Sequence, residues 1–388
     1  MKKIIFCLQT MVLGGVEKEL ITILNKINNQ FEITLLLLYV EDKELLSEIP
    51  ENVRIVNLEI DKDYYYGSTF NLIRSRIKRG HLLEATSLAF KRIFNIGTTG
   101  SNLNINDIQI IDDIFDVAIC YHIHSPIMMK YTAQKIKASK KVAWIHNDFY
   151  TTKYPIERLK DVVLKYDEFV AVSKKVEHEF RSICNWYHGD VSTAYNYLDA
   201  EEIIKLSEEE VEDQQFTCES KTKILTIGRF SEQKGIDLAI ETASLLKKNK
   251  VGFHWFLIGY GELENEYRRL IEQYEVLDCF TILGKKQNPY PYIRKCDVLV
   301  QPSRHEAYPL VIMEAKILKK PIICTNFDGA DEQIDSGVNG MIVPLNDIVA
   351  LNNAVSQIVL SPQLRECFSK SLEGLHGEDN LKSIISHF

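Results

Sequence analysis

A chain of 388 residues, 45% hydrophobic and 26% charged, can bury the cores of two or three globular domains, which excludes a disordered or fibrous protein. The net charge of −8 falls on the second part of the chain, because residues 1–200 hold 25 basic against 25 acidic groups; with no basic module interleaved with aromatics, nucleic-acid binding is not expected. Eight cysteines without a Cys-x-x-Cys pair, several inside apolar runs (Cys7, Cys120, Cys324), read as buried free thiols in a reducing compartment rather than a disulfide scaffold.

Met1–Cys7 begins like a signal peptide, but its apolar run breaks at Gln9 without a small-residue cleavage pattern, so it reads as a first strand. Gly14-Gly15 then opens a helix containing Glu17, Leu20 and Ile23, where paired glycines permit close approach to a phosphate, or simply strand-to-helix packing. The longest apolar run, Ile33–Val40, is too short for a bilayer and reads as a buried parallel strand. Further strands are expected at Arg54–Leu58, Val117–His122, Lys141–His146, Phe169–Ser173 and Val191–Tyr195. Residues 60–110 depart from this rhythm and read as an insert of two amphipathic helices broken near Gly80.

Basic residues bunch at 74–92 and 130–141. Each bunch reads as a solvated helix face or as a contact with an anionic membrane or lipid diphosphate. His146 at a strand's carboxyl end points into any cleft above the sheet; His122 and His124 are similarly placed. No metal-ligand cluster is apparent.

The first domain is expected to span residues 1–199, and the acidic stretch 200–220 reads as a helix plus linker. Strands then recur at Lys223–Ile227, His254–Gly259, Phe280–Leu283, Val298–Gln301, Ile322–Thr325 and Gly340–Val343. This second domain covers 221–365, with a C-terminal helix at 366–388 that could return to the first domain. Two sets of six or seven strands alternating with helices suit an α/β architecture of two Rossmann-like domains facing across a cleft.

Three strand ends of the second domain carry chemistry. Gly228-Arg229 and Lys234-Gly235 place two cations where they suit a diphosphate; a surface ion pair with Glu232 or Glu241 is the competing reading. Gly259-Tyr260-Gly261 permits a tight turn, and alone marks no more than a strand exit. In SRHEAYPLVIMEAK (residues 303–316), Glu306 sits in a turn and Glu314 about one and a half helical turns past Pro309, as suits a ligand rich in hydroxyls. An acidic loop residue and a solvated helix glutamate is the plain alternative.

In that order and spacing, these motifs together with Gly14-Gly15-Val16-Glu17 resemble the retaining GT-B glycosyltransferases of family 4 (glycosyl transferases group 1), most strongly over residues 222–345. The resemblance implies a metal-independent hexosyltransferase without cofactor, moving a sugar from a nucleoside diphosphate-sugar to a glycolipid or growing polysaccharide at the cytoplasmic membrane face. It implies a donor on the second domain and an acceptor on the first. Arg229 and Lys234 would hold the diphosphate, Glu314 the ribose, and Glu306 the donor sugar, with His146 nearby. Gly15, Gly228, Gly259, Gly261, Lys285, Tyr308, Pro309, Leu310 and Val311 would complete the donor site, the last two through N–H groups at a helix N-terminus. The sequence departs from the commonest family pattern after Glu306, where Ala307 replaces a frequent glycine and Tyr308-Pro309 follow. A non-catalytic partner that keeps the fold and binds a glycan or another transferase is the alternative class.

Overall fold

Parallel pairing joins every described strand of this chain, an arrangement that requires crossovers rather than hairpins between neighbouring strands. The computed structural model describes residues 1–12, 14–41, 45–60, 105, 108–217, 220–372 and 378–388. Most of the segment expected as a helical insert, including the first basic bunch, lies outside them.

The first sheet contains β1 (Lys3–Leu8), β2 (Glu32–Leu37), β3 (Arg54–Asn57), β4 (Ile114–Cys120), β5 (Lys137–Ile145), β6 (Glu168–Ala171) and β7 (Asp190–Thr193), in the order β3-β2-β1-β4-β5-β6-β7. The second contains β8 (Thr222–Ile227), β9 (Phe253–Ile258), β10 (Phe280–Gly284), β11 (Val298–Gln301), β12 (Ile322–Thr325) and β13 (Gly340–Val343), in the order β10-β9-β8-β11-β12-β13. In each sheet the order reverses once, between β1 and β4 and between β8 and β11. A crevice forms at such a switch point, above the strands' carboxyl ends. These are the two facing Rossmann-like domains expected from the alternation of runs.

Strands covered on both faces read as unbroken apolar runs, and β2 and β12 are buried almost throughout. β4 and β5 begin three and four residues earlier than their apolar runs suggested, because their first residues alternate outward, as with Ile114 and Lys137. Both also stop short of the expected histidines, so His122 and His146 stand in the loops beyond.

The second basic bunch is not one helix face. Lys130 and Lys135 lie on the helix Pro126–Lys135, but Lys137, Lys140 and Lys141 belong to β5. Lys140 pairs with Glu168 at 2.9 Å and donates to the carbonyl of His387, Lys141 donates to the carbonyl of Ala133, and Lys137 meets Asp112 at 3.4 Å.

The helix Pro362–Ser371 packs on the second domain through Phe368, whereas the helix Glu378–Ile385 and the residues after it lie on the first. There the Phe388 ring packs edge-on against Phe6, and His387 Nδ1 lies 2.7 Å from Glu168. The domains also meet directly. The Glu332 carboxylate accepts from the backbone N–H groups of Lys174 (2.8 Å) and Lys175 (2.9 Å), capping the helix Lys174–Ile183 from the other domain, and from the Tyr195 hydroxyl at 3.0 Å. Asn196 Nδ2 donates to the Tyr308 carbonyl at 3.0 Å, and the Tyr195 and Tyr308 rings stack with centroids 5.0 Å apart.

A buried hydroxyl stiffens the second sheet beneath the cleft. Thr226 Oγ1 on β8 donates to the Val300 carbonyl on β11 at 2.7 Å and accepts from Trp255 Nε1 on β9 at 3.0 Å. Thr226→Val is expected to cost about 1–3 kcal/mol, because the indole N–H loses its buried acceptor. The shift of a urea-unfolding midpoint checks this.

Candidate active site

A cavity of about 510 Å³ fills the crevice between the domains, with walls drawn from both switch points. Of the residues expected there, Gly15, His146, Gly228, Arg229, Lys234, Gly259, Lys285, Glu306, Tyr308, Pro309, Leu310, Val311 and Glu314 all line it. Gly261 does not. A Cβ at its φ of +158° would stand 2.5 Å from the Phe230 carbonyl oxygen, so this glycine seats the turn against β8's continuation.

Lys234 and Glu306 meet. The ammonium lies 2.5 Å from Glu306 Oε1, so neither Glu232 nor Glu241 is its partner. Ser303 Oγ donates to the same carboxylate oxygen at 2.8 Å and accepts from Gln301 Nε2 at 2.9 Å. The Lys234 turn is set by Gly235, whose φ is +60°; a Cβ there would stand 2.0 Å from the Pro302 carbonyl oxygen. The lysine stem runs along Gly228, where a Cβ would touch it at 3.2 Å. Arg229, exposed at the end of β8, stands close enough to Glu17 of the facing domain to favour that residue's carboxylate form.

Pro309 precedes the helix Leu310–Ile317, so Leu310 and Val311 offer first-turn N–H groups that have no intrahelical acceptor. Glu314 on this helix is 8% exposed and not solvated. Burial raises its pKa, against the pull of the Lys18 ammonium and the Tyr290 hydroxyl. At the far edge, the Lys285 ammonium sits 5.3 Å over the Tyr260 ring, and Lys286 pairs with Asp213 at 2.8 Å.

The wall from the first domain is built differently. Gly14 caps the helix Gly15–Ile27, and Gly15 faces Leu310 across the cleft, where a Cβ would approach to 3.5 Å. Burial pushes Glu17 up to about 7 and the enclosed Glu19 up to about 8. Glu19 accepts from the Tyr197 N–H at 3.0 Å, and its other oxygen lies 3.8 Å from His146 Nδ1. Burial holds His146 far below the usual histidine range and His122 down to about 4, so both rings are neutral near pH 7. Asn147 Nδ2 lies 3.0 Å from His122 Nε2 and lines the cavity beside it. His124 faces away, packed on the Tyr154 ring at 4.5 Å. Among the described residues, no group of three or more His, Cys, Asp or Glu side chains is arranged to hold a metal ion.

Residues 207–373 match the family described as Glycosyl transferases group 1. That stretch is what this chain has in common with the family. It contains Arg229, Lys234, Glu306 and Glu314, and so the whole second-domain wall of the cleft. Amylovoran biosynthesis glycosyltransferase AmsK of Erwinia amylovora is 31% identical over 137 residues, 33% of this chain and 34% of AmsK. Alpha-D-kanosaminyltransferase of Streptomyces kanamyceticus is 24% identical over 255 residues, 61% of this chain and 65% of that protein. The matches to the first of these curated relatives thus span about a third of their length. Anabaena Alr3699/HepE, solved with UDP and glucose, superposes with a TM-score of 0.72 at 15% identity, covering 100% of this chain and 99% of that one. The fold that carries the matched stretch is accordingly GT-B.

Lys18, Glu19, Asn196, Ser303 and Gln301 join or support this site without having been picked out from sequence. Lys18 and Glu19 directly follow the Gly14-Gly15-Val16-Glu17 motif, and that adjacency was the available signal.

The Glu19 carboxyl binds its proton more tightly in the folded chain than in the unfolded one. Between pH about 4.5 and about 8 the native state therefore holds more protons, and stability falls as pH rises through that window. Glu19→Gln is expected to flatten that decline, read as Tm across pH 5–9.

Proposed function

We propose that this protein is a retaining glycosyltransferase that moves a hexosyl group from a nucleoside diphosphate-sugar to a glycolipid or growing polysaccharide. The observation that carries the reading is the Lys234–Glu306 contact at 2.5 Å, in the crevice where Arg229 and the first turn of Leu310–Ile317 also open. A guanidinium, an ammonium and helix N-terminal N–H groups are a cradle for a diphosphate. Glu314 would accept from the ribose hydroxyls and Glu306 from the donor sugar, with His146 across the cleft. The neutral imidazoles and Asn147 on the first-domain wall suit an uncharged hydroxyl acceptor.

The acceptor hydroxyl would attack the anomeric carbon from the face that the diphosphate leaves. The new C–O bond forms as the bond to phosphate breaks, and the departing phosphate takes the hydroxyl proton. Arg229 and Lys234 would stabilise the charge that builds on the leaving group, a task often given to a metal ion. Relatives named for amylovoran and colanic acid biosynthesis support a polysaccharide acceptor.

The reading assigns the cytoplasmic face, in keeping with free, mostly buried cysteines. Among the described residues no helix is long and apolar enough to cross a membrane. Residues 130–141 give membrane contact little support, because Lys137, Lys140 and Lys141 already hold protein partners.

Lys234→Ala and Glu306→Ala are each expected to lower turnover by roughly 100-fold or more while the fold persists, measured as diphosphate released from a panel of sugar nucleotides. NMR of the product is expected to show the donor's anomeric configuration kept. An inverted linkage would overturn the retaining assignment. UDP, GDP or ADP at 100 times its dissociation constant should add roughly 2.7 kcal/mol of stability. No shift with any of them would favour a non-catalytic partner.

A further inference from the structure

The lysine and the glutamate at the centre of the cleft come from different strand-turn-helix units, 72 residues apart. A lysine side chain is a point charge on four rotatable bonds, so where its ammonium stands depends on what fixes its turn. Beside Gly235, Arg304 helps to fix it. Its Nη1 donates to Asp237 Oδ1 at 2.9 Å and its Nη2 to Asp237 Oδ2 at 2.5 Å, a bidentate pair with the first turn of the helix Ile236–Lys248. Nη1 also donates to the Glu232 carbonyl at 2.7 Å, inside the Lys234 turn itself. The Arg304 N–H donates to the Gln233 carbonyl at 2.7 Å, and Gln233 Nε2 returns to the His305 carbonyl at 3.0 Å. Three of these hydrogen bonds bind the residues just before Lys234 to those just before Glu306, and two more hold Asp237, three residues after Lys234. Neither Arg304 nor Asp237 lines the cavity.

We propose that Arg304 and Asp237 are positioning residues for phosphate recognition, their forked ion pair setting where the Lys234 ammonium stands relative to Glu306. This rests on the diphosphate reading above and adds to it a pair outside the site. The pair is partly exposed, and such pairs add little to overall stability. Its main effect therefore falls on the position of the ammonium. The planar fork makes Arg304→Lys a non-conservative change, because a lysine cannot hold both Asp237 oxygens and the Glu232 carbonyl together.

Calorimetric titration of the full chain with UDP, GDP and ADP, and with the matching nucleosides, tests this. In Arg304→Lys and Asp237→Asn, the diphosphate that binds wild type best is expected to bind about tenfold more weakly, a change of roughly 1.4 kcal/mol. The nucleoside should bind as before, and the Tm should stay near that of wild type. In a Lys234→Ala background the same changes should weaken binding no further, since two groups acting through one contact are not additive. The exchanged pair, Arg304→Asp with Asp237→Arg, should bind the diphosphate more tightly than either single charge reversal.

Unchanged diphosphate affinity overturns the proposal. So does an equal loss for nucleoside and diphosphate, or a full further loss without Lys234. If Arg304→Lys does not fold, Asp237→Asn carries the same comparison. A wild-type chain that binds no nucleoside diphosphate overturns the proposed function itself, and this inference with it.

Discussion

One ammonium and one carboxylate, each mostly withdrawn from water, neutralise one another at the middle of the crevice. Alone, either would face a desolvation cost of several kcal/mol. Together with the Ser303 hydroxyl they form a satisfied polar knot that the second sheet can place at its switch point. The surrounding backbone is shaped to this contact. Gly235 bends the lysine turn onto Pro302, Gly228 leaves room for the stem, and Gly259 has no Cβ to strike the Gly228 carbonyl oxygen, which would stand at 1.9 Å. Three glycines, at the ends of two neighbouring strands and in the turn between sheet and helix, thus serve a single charge pair.

The two walls of the crevice answer burial in opposite ways. The second domain sets a cation against an anion at Lys234 and Glu306. The first domain gives its titratable groups neutral partners, Asn147 for His122 and the Tyr197 N–H for Glu19, and burial keeps His122 and His146 uncharged and makes Glu19 hold its proton to about pH 8. Lys18 and Arg229 reach across, toward Glu314 and Glu17 respectively. A ligand between the walls would meet the Lys234–Glu306 pair on one side and neutral imidazoles beside Lys18 on the other. That asymmetry is what the proposed transfer from a diphosphate to a hydroxyl would use.

The strands of the second domain were legible almost to the residue, because a strand buried on both faces is an uninterrupted apolar run bounded by turn residues. The motif residues were legible because chemistry gathers at strand ends. What sequence could not show was partnership over distance. Nothing near Glu332 announces that it caps a helix in the other domain, and nothing near Arg304 announces Asp237. Glu19 looks like one more polar position on an amphipathic helix until Tyr197 and His146 close around it. Gly261 matched a motif, yet its neighbour is protein backbone. The second basic bunch misled because charge counted along a chain ignores the turn from helix to strand between Lys135 and Lys137.

The chain passes between its domains twice, once after β7 and again between Leu372 and the helix Glu378–Ile385, whose end is anchored under Phe6 and Trp144. The second domain is therefore tied to the first by covalent chain at both of its ends. Between those crossings, the Glu332 contacts and the Tyr195–Tyr308 stack join the two domains through side chains. A ligand in the crevice thus lies between walls that are held together both by the chain and by these side chains.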